Sequence, residues 1–297
     1  MRITFNSHYR DAEAGLTAAS ERLADLQQQV ATGRRINRPS DAPADAASLV
    51  SERAALSAAD HFERTGDTVS ARLAMVDTAL TDIIERITEA AAAVAAVRGS
   101  GKSAAQREAA AQQLTAVRET ILSDLNSSFR GIYLFGGTEG TVRPFTTTAD
   151  GTATYGGNAD EMAVDISSTR SVAATFDGRD VTQGGDATDV LTVLAALATA
   201  AREGDEAALE DGAAALNRAL ERSMLVQARV GSAIRAIDTE KERLQQQRLA
   251  TNTRVAALEN ADMAKVITGM AQADAAYRAA LGAIGTAGRV SLMDYIK

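Results

Sequence analysis

Apolar residues at alternating spacings of four and three run through the first thirty positions: Phe5, Tyr9, Ala12, Leu16, Ala19, Leu23, Leu26 and Val30. Asp11, Glu13, Glu21, Arg22, Asp25 and Gln28 lie between them. This is a heptad seam, and a stripe so narrow requires a partner helix of matching period. Met263, Val266, Met270, Ala273, Tyr277, Ala280, Ile284 and Ala287 repeat the spacing at the other end of the chain. The pattern predicts a chain that goes out, turns and returns to pair its own ends. The inner face of an ordinary bundle helix has the same periodicity; further long seams and a compact insert favour a rod.

The first helix, with its connector, is expected over 1–43. Within Thr32 to Pro43 stand two of the three prolines. Gly33 suits a helix C-terminus, Pro39 pushes Arg38 out of helical geometry, and Ser40 or Asp41 can cap a second helix that tolerates Pro43 in its first turn. An outgoing helical part follows over 44–130, with Val69, Leu73, Val76, Leu80, Ile83, Ile87, Ala90, Val94 and Val97 in register. A helix from Ala44 to Arg98 would reach roughly 80 Å, so an elongated molecule is expected. Gly99 and Gly101 end it, and a third helix carries Ala110, Leu114, Val117, Ile121 and Leu125.

Composition changes at Phe129. Nine of the 22 glycines fall between Gly136 and Gly185, and six of the eleven aromatics between Phe129 and Phe176, while heptads vanish. Alternation at Met162, Val164 and Ile166, and again at Val172, Ala174 and Phe176 before an Asp177-Gly178 turn, predicts a small β-rich insert over 131–186. Its expected core is Phe145, Tyr155 and Phe176. A returning helical part is expected over 187–250. The glutamine- and threonine-rich run from Gln245 to Thr253 predicts a register change or loop, with the last coiled-coil helix over 251–297. The fold class is mainly α: an antiparallel rod with both ends coiled together and a β-rich domain inserted at its tip.

The composition, 45% hydrophobic but 4% aromatic, requires helices packed closely through Ala, Leu and Val. A net charge of -8 argues against nucleic acid or an anionic membrane as partner. Without cysteine there is no disulfide, thiolate nucleophile or thiolate metal site. His8 and His61 are the two histidines, and neither sits in a zinc-binding pattern. Gly99 to Ser103 reads GSGKS, but Ala96 stands where a phosphate-binding loop needs its first glycine, and a helix, not a strand, leads in. No catalytic, cofactor or metal site is predicted. No stretch has signal-peptide or membrane-span character, so any export must use a route other than the general secretory one.

Three segments carry a family resemblance. INRPSDAPADAA from Ile36 includes Asn37, Arg38, Pro39, Ser40 and Asp41; NSSFRGIYLFGGT from Asn126 includes Tyr133, Leu134, Phe135, Gly136 and Gly137; ENADMAKVIT from Glu259 includes Asp262 and Met263. The chain ends on SLMDYIK, with Leu292, Asp294 and Tyr295. With these, the chain resembles the flagellin superfamily, and within it the hook-filament junction proteins, over nearly its whole length. The ending and the segment from Asn37 to Asp41 favour the junction proteins over filament subunits; Ile132, where the family often has Arg, is a departure.

The resemblance implies a structural subunit, not an enzyme, secreted through the flagellar type III apparatus to the extracellular flagellum. The implied partners are other copies in a ring, the first hook-associated protein, flagellin, and a cytoplasmic chaperone on the C-terminal helix. The terminal helices are expected to order as neighbouring subunits bury them, through Phe5, Tyr9, Leu16, Leu23, Leu26, Val30, Met263, Val266, Met270, Tyr277 and Ile284. A flagellin-type filament subunit is the alternative. A signalling coiled coil would explain long antiparallel helices but not a glycine-rich aromatic insert.

Overall fold

The computed structural model describes residues 2–99, 101–148 and 152–293, with side chains described between 10 and 285. Long helices occupy both ends of the chain and strands occur only between them: α1 (Arg2–Thr32), α2 (Pro43–Val97), α3 (Ala104–Leu125), β1 (Ser128–Phe129), β2 (Ile132–Tyr133), β3 (Phe145–Thr147), β4 (Ala153–Tyr155), β5 (Ala163–Asp165), β6 (Ser171–Ala173), α4 (Gly178–Thr182), α5 (Val190–Glu203), α6 (Glu206–Glu259) and α7 (Met263–Met293). The chain divides into a terminal unit, Met1–Ala58 with Gln246–Lys297, and a central unit, Ala59–Gln245; α2 and α6 contribute to both.

The central unit is built on the heptads. Leu73, Val76, Leu80 and Ile83 of α2, Leu114 and Ile121 of α3, and Leu216, Val230 and Ile237 of α6 have no exposed surface and share one core. Gln227 of α6 donates to Asp77 Oδ1 (3.2 Å) and Thr81 Oγ1 (2.9 Å), and Lys241 pairs with Asp67 at 2.5 Å. One index falls as the other rises, so α2 and α6 run antiparallel here. α3 packs along α5, where Arg118 Nε donates to the Leu191 carbonyl at 3.0 Å. At the turn into α3, Ser103 forms a capping box with Gln106. The Gly99 N–H donates to Glu206 Oε1 at 2.6 Å, so a carboxylate occupies a donor that a phosphate loop would leave free.

Among its described residues the insert has three separate antiparallel hairpins, β1–β2, β3–β4 and β5–β6. Strands of two or three residues cannot sustain a sheet alone, so the aromatic core carries them. Phe135, Phe145 and Phe176 are almost wholly buried, whereas Tyr155 is half-buried and donates its hydroxyl to the Phe135 carbonyl at 3.0 Å. Asn126 ties this core to α3, its amide accepting from Phe145 N and donating to Phe145 O, each at 2.9 Å.

Three expectations need correction. Residues 245–253 contain no loop or break: α6 runs through them, with Gln245, Gln246, Gln247 and Thr253 exposed and Thr251 buried, because glutamine and threonine do not by themselves interrupt a helix. The chain breaks instead at Asn260–Asp262, and the last helix begins at Met263, not 251. Asp177 forms no turn with Gly178 but caps α4, its side chain accepting from Arg179 N.

Candidate assembly surface of the terminal unit

The terminal unit is held by two helix breaks that dock on each other. The α1–α2 break and the α6–α7 break form a short antiparallel bridge between Arg34 and Asn260. Around it, Arg35 N donates to Glu259 O (2.7 Å) and Ala261 N to Gly33 O (3.0 Å). Gly33 reaches this position with φ +69, a left-handed conformation suited to a residue without Cβ. Glu259, 6% exposed, places one carboxylate oxygen 2.5 Å from Arg34 Nε and the other 2.8 Å from Arg53 Nη2. Arg35 adds an ion pair to Asp45 and a hydrogen bond to the Leu258 carbonyl. These basic and acidic residues are the part of the site that sequence reasoning missed. The available signal was an arginine pair in one break and a glutamate at the edge of the other.

Within the first break, Ser40 and Asp41 do not cap α2 as expected. The Asp41 carboxylate turns back and accepts from Asn37 N (2.9 Å) and Arg38 N (2.8 Å). Asn37 in turn donates its side-chain amide to the Arg34 carbonyl at 3.1 Å. Asn37, Arg38 and Asp41 thus form a self-bonded loop, with Pro39 and Ser40 exposed at its apex and Ile36 buried beneath it. At the second break Asp262 caps α7 by accepting from Lys265 N at 3.2 Å.

Backbone hydrogen bonds hold the carboxyls of Asp41 and Asp262 below the ordinary aspartate value of 3.8. A depressed folded-state pKa contributes stability above the unfolded value, and this is lost as pH falls through the folded one. Acidification below about 4 should therefore raise amide exchange at 33–42 and 259–265 selectively. Asp41→Asn should remove the pH-dependent part at the first loop, checked by hydrogen exchange at pH 3 and 7. Glu259→Gln should weaken the docked breaks by about 1–3 kcal/mol, since a charge-assisted pair becomes neutral in a buried position. Urea unfolding followed by a probe in the terminal unit would check this.

Beyond the breaks, α1 and α7 pack antiparallel: Arg34 meets Asn260, and further along Leu26 Cδ1 lies 3.6 Å from where a Cβ on Gly269 would stand. Ala12, Leu16, Ala19, Leu23, Leu26 and Val30 face inward yet all remain half-buried. Among the described side chains of α7 only Val266 and Ala273 are buried, at 6% and 5% exposure; Met270, Tyr277, Ala280 and Ile284 are half-buried. Met263, expected in the seam, is 38% exposed at the first position of α7. Ile267 and Leu281, off the seam, are 52% and 44% exposed. The side chains of Phe5, Tyr9, Leu292, Asp294 and Tyr295 lie outside the described residues.

Tyr133, Leu134, Phe135, Gly136 and Gly137 belong to the central unit. Leu134 and Phe135 are core residues, and the two glycines let the chain pass along Phe176–Gly178, with Gly136 bridging Asp177 and Gly137 N donating to Phe176 O. This segment packs the insert and presents little surface. Among the described residues no group of His, Asp or Glu could hold a metal, and no helix is long and apolar enough to cross a membrane.

Residues 3–140 match the bacterial flagellin N-terminal helical region. Flagellar hook-associated protein 3 of Salmonella typhimurium is 23% identical, with 94% of each chain covered. The crystal structure of Xanthomonas campestris FlgL superposes with a TM-score of 0.62 at 16% identity, covering 69% of this chain and 99% of that one. The Legionella pneumophila flagellar junction protein FlgL gives 0.62 at 10% identity, covering 71% and 99%. This chain therefore carries the flagellin-type helical region in its N-terminal half and resembles flagellar hook-associated protein 3 over nearly its whole length.

Proposed function

We propose that this chain is a structural, self-assembling subunit of the bacterial flagellum, located outside the cell where the hook meets the filament, and not an enzyme. The observation that carries the reading is the contrast in seam burial. The seam residues of α2 from Val69 to Val97 and those of α3 are all buried, whereas the described seam residues of α1 and most of those of α7 are half-covered by each other. Burial of apolar area contributes roughly 25 cal/mol per Å², so neighbouring copies that cover the terminal pair gain free energy that the isolated chain lacks. The residues assigned to this step are Leu16, Leu23, Leu26 and Val30 on α1, with Val266, Met270, Tyr277 and Ile284 on α7. Phe5 and Tyr9 extend the same heptad.

The partners that fit are other copies of the chain, the first hook-associated protein on the hook side and flagellin on the filament side. A cytoplasmic export chaperone on the C-terminal helix would keep the half-covered seam from premature association. Complementation is the test: the gene is deleted in its host, cells are inspected by electron microscopy, and flagellin is assayed in the medium. The reading requires hooks without filaments and flagellin lost to the medium. Filaments that persist with a changed subunit composition would instead identify a filament subunit.

A further inference from the structure

One groove of the central unit has unmatched charge and open apolar walls. It encloses about 440 Å³ between α2 and the first and third hairpins. Val69, Phe129 and Val164 line its walls, and Ile132 and Met162, each 44% exposed, stand at its rim. Arg64, Arg72 and Arg130 also line it, and no carboxylate does. Arg72 is 7% exposed; it donates Nη2 to the Tyr133 carbonyl at 3.0 Å, while its Nε, sealed from solvent, has no acceptor. Burial lowers its pKa, yet an arginine remains a cation at any working pH. Arg130 is the one non-glycine among the described residues with a positive φ, +53, at the tip of the β1–β2 hairpin. That conformation disfavours a long side chain and favours Asn or Gly, yet it sets the Arg130 guanidinium 5.2 Å from the Phe129 ring centroid beside the groove.

Three arginines lining an open apolar groove without a carboxylate among them suit an incoming acceptor carried on an apolar support. The chain presents such a group on α6. Leu225 is 67% and Met224 49% exposed, and Glu221, one turn before Leu225, is exposed. The neighbouring cations Arg218 and Arg222 are both engaged by Asp186 and do not neutralise it. We infer that the groove of one copy receives the Glu221–Leu225 ridge of a second copy, the carboxylate meeting the Arg64, Arg72 and Arg130 cluster and Leu225 the apolar walls. The contact is head-to-tail, the type that generates rings and helical arrays, and it rests on the self-assembly proposed above.

Sedimentation of the purified full-length chain tests this separately from complementation. The unaltered chain should self-associate as concentration rises towards about 1 mM. Arg130→Glu and Glu221→Arg should each weaken association about tenfold or more. A one-to-one mixture of the two variants should recover association, because the Glu221 ridge of one then meets the unaltered groove of the other. Glu221→Arg changes an exposed helix position, so it leaves folding intact, and far-ultraviolet dichroism verifies both variants. Association unaffected by either substitution, no recovery in the mixture, or an unaltered chain monomeric throughout would overturn the groove contact. Complementation would still decide the junction role.

Discussion

Val266→Asp should separate the terminal helices while the central unit stays folded. Val266 is 6% exposed in the α1–α7 seam, and apart from Ala273 the described seam residues are at most half-covered, so little burial is left to compensate an unpaired carboxylate. Stranding a charge there costs about 3 kcal/mol or more, in addition to the lost apolar contact. Amide exchange in α1 and α7 should rise to that of an open helix while α3 and α5 remain protected. In the complementation assay, filaments should disappear. Ile267→Asp, one residue along, separates folding from assembly. Ile267 is 52% exposed, so the helix pair should survive, yet filaments should fail if neighbouring subunits cover that face. Normal filaments from Ile267→Asp would remove this face from the assembly surface.

Gly137→Ala should give the largest loss in the central unit from a single methyl group. Gly137 sits at φ +64, and a Cβ there would lie 2.3 Å from both the backbone carbonyl and the side-chain Oδ1 of Asn158. The carbonyl belongs to a segment bonded back to Gly136, so it cannot simply swing aside. Left-handed strain and overlap together cost about 2–4 kcal/mol. Because Phe135, Phe145 and Phe176 share this core, the near-ultraviolet signal of the insert should melt before the helices do. A melting profile identical to that of the unaltered chain would show that the segment around Asn158 yields freely.

The two substitutions act on different physics, and that difference marks what could be read without coordinates. Heptads announce themselves in the sequence because helix periodicity is local: a residue's face follows from its index. Hence the seams of α1, α2, α3 and α7, the glycine-bounded turn near Gly99, and the helical class were legible from spacing alone. The resemblance also named the Asn37–Asp41 and Tyr133–Gly137 segments, but not their physical roles. Asp41 was expected to cap a following helix and instead closes its own loop. The choice depends on where the loop docks, not on residue type.

Distant pairing was not legible. Nothing in the spacing says that Arg34 and Arg53 share the Glu259 carboxylate, because ion pairs across more than two hundred positions have no period. The break at Asn260–Asp262 was misplaced for a related reason. Polar runs are ambiguous between a solvated helix face and a loop, and the docking of two breaks decided where α6 stops. By itself the sequence determined which residues face inward along each helix, since that is helical geometry. The tertiary structure decided how completely each face is covered, buried throughout along the α2 and α3 seams and mostly half-covered in the terminal pair, because coverage depends on the number of neighbouring elements.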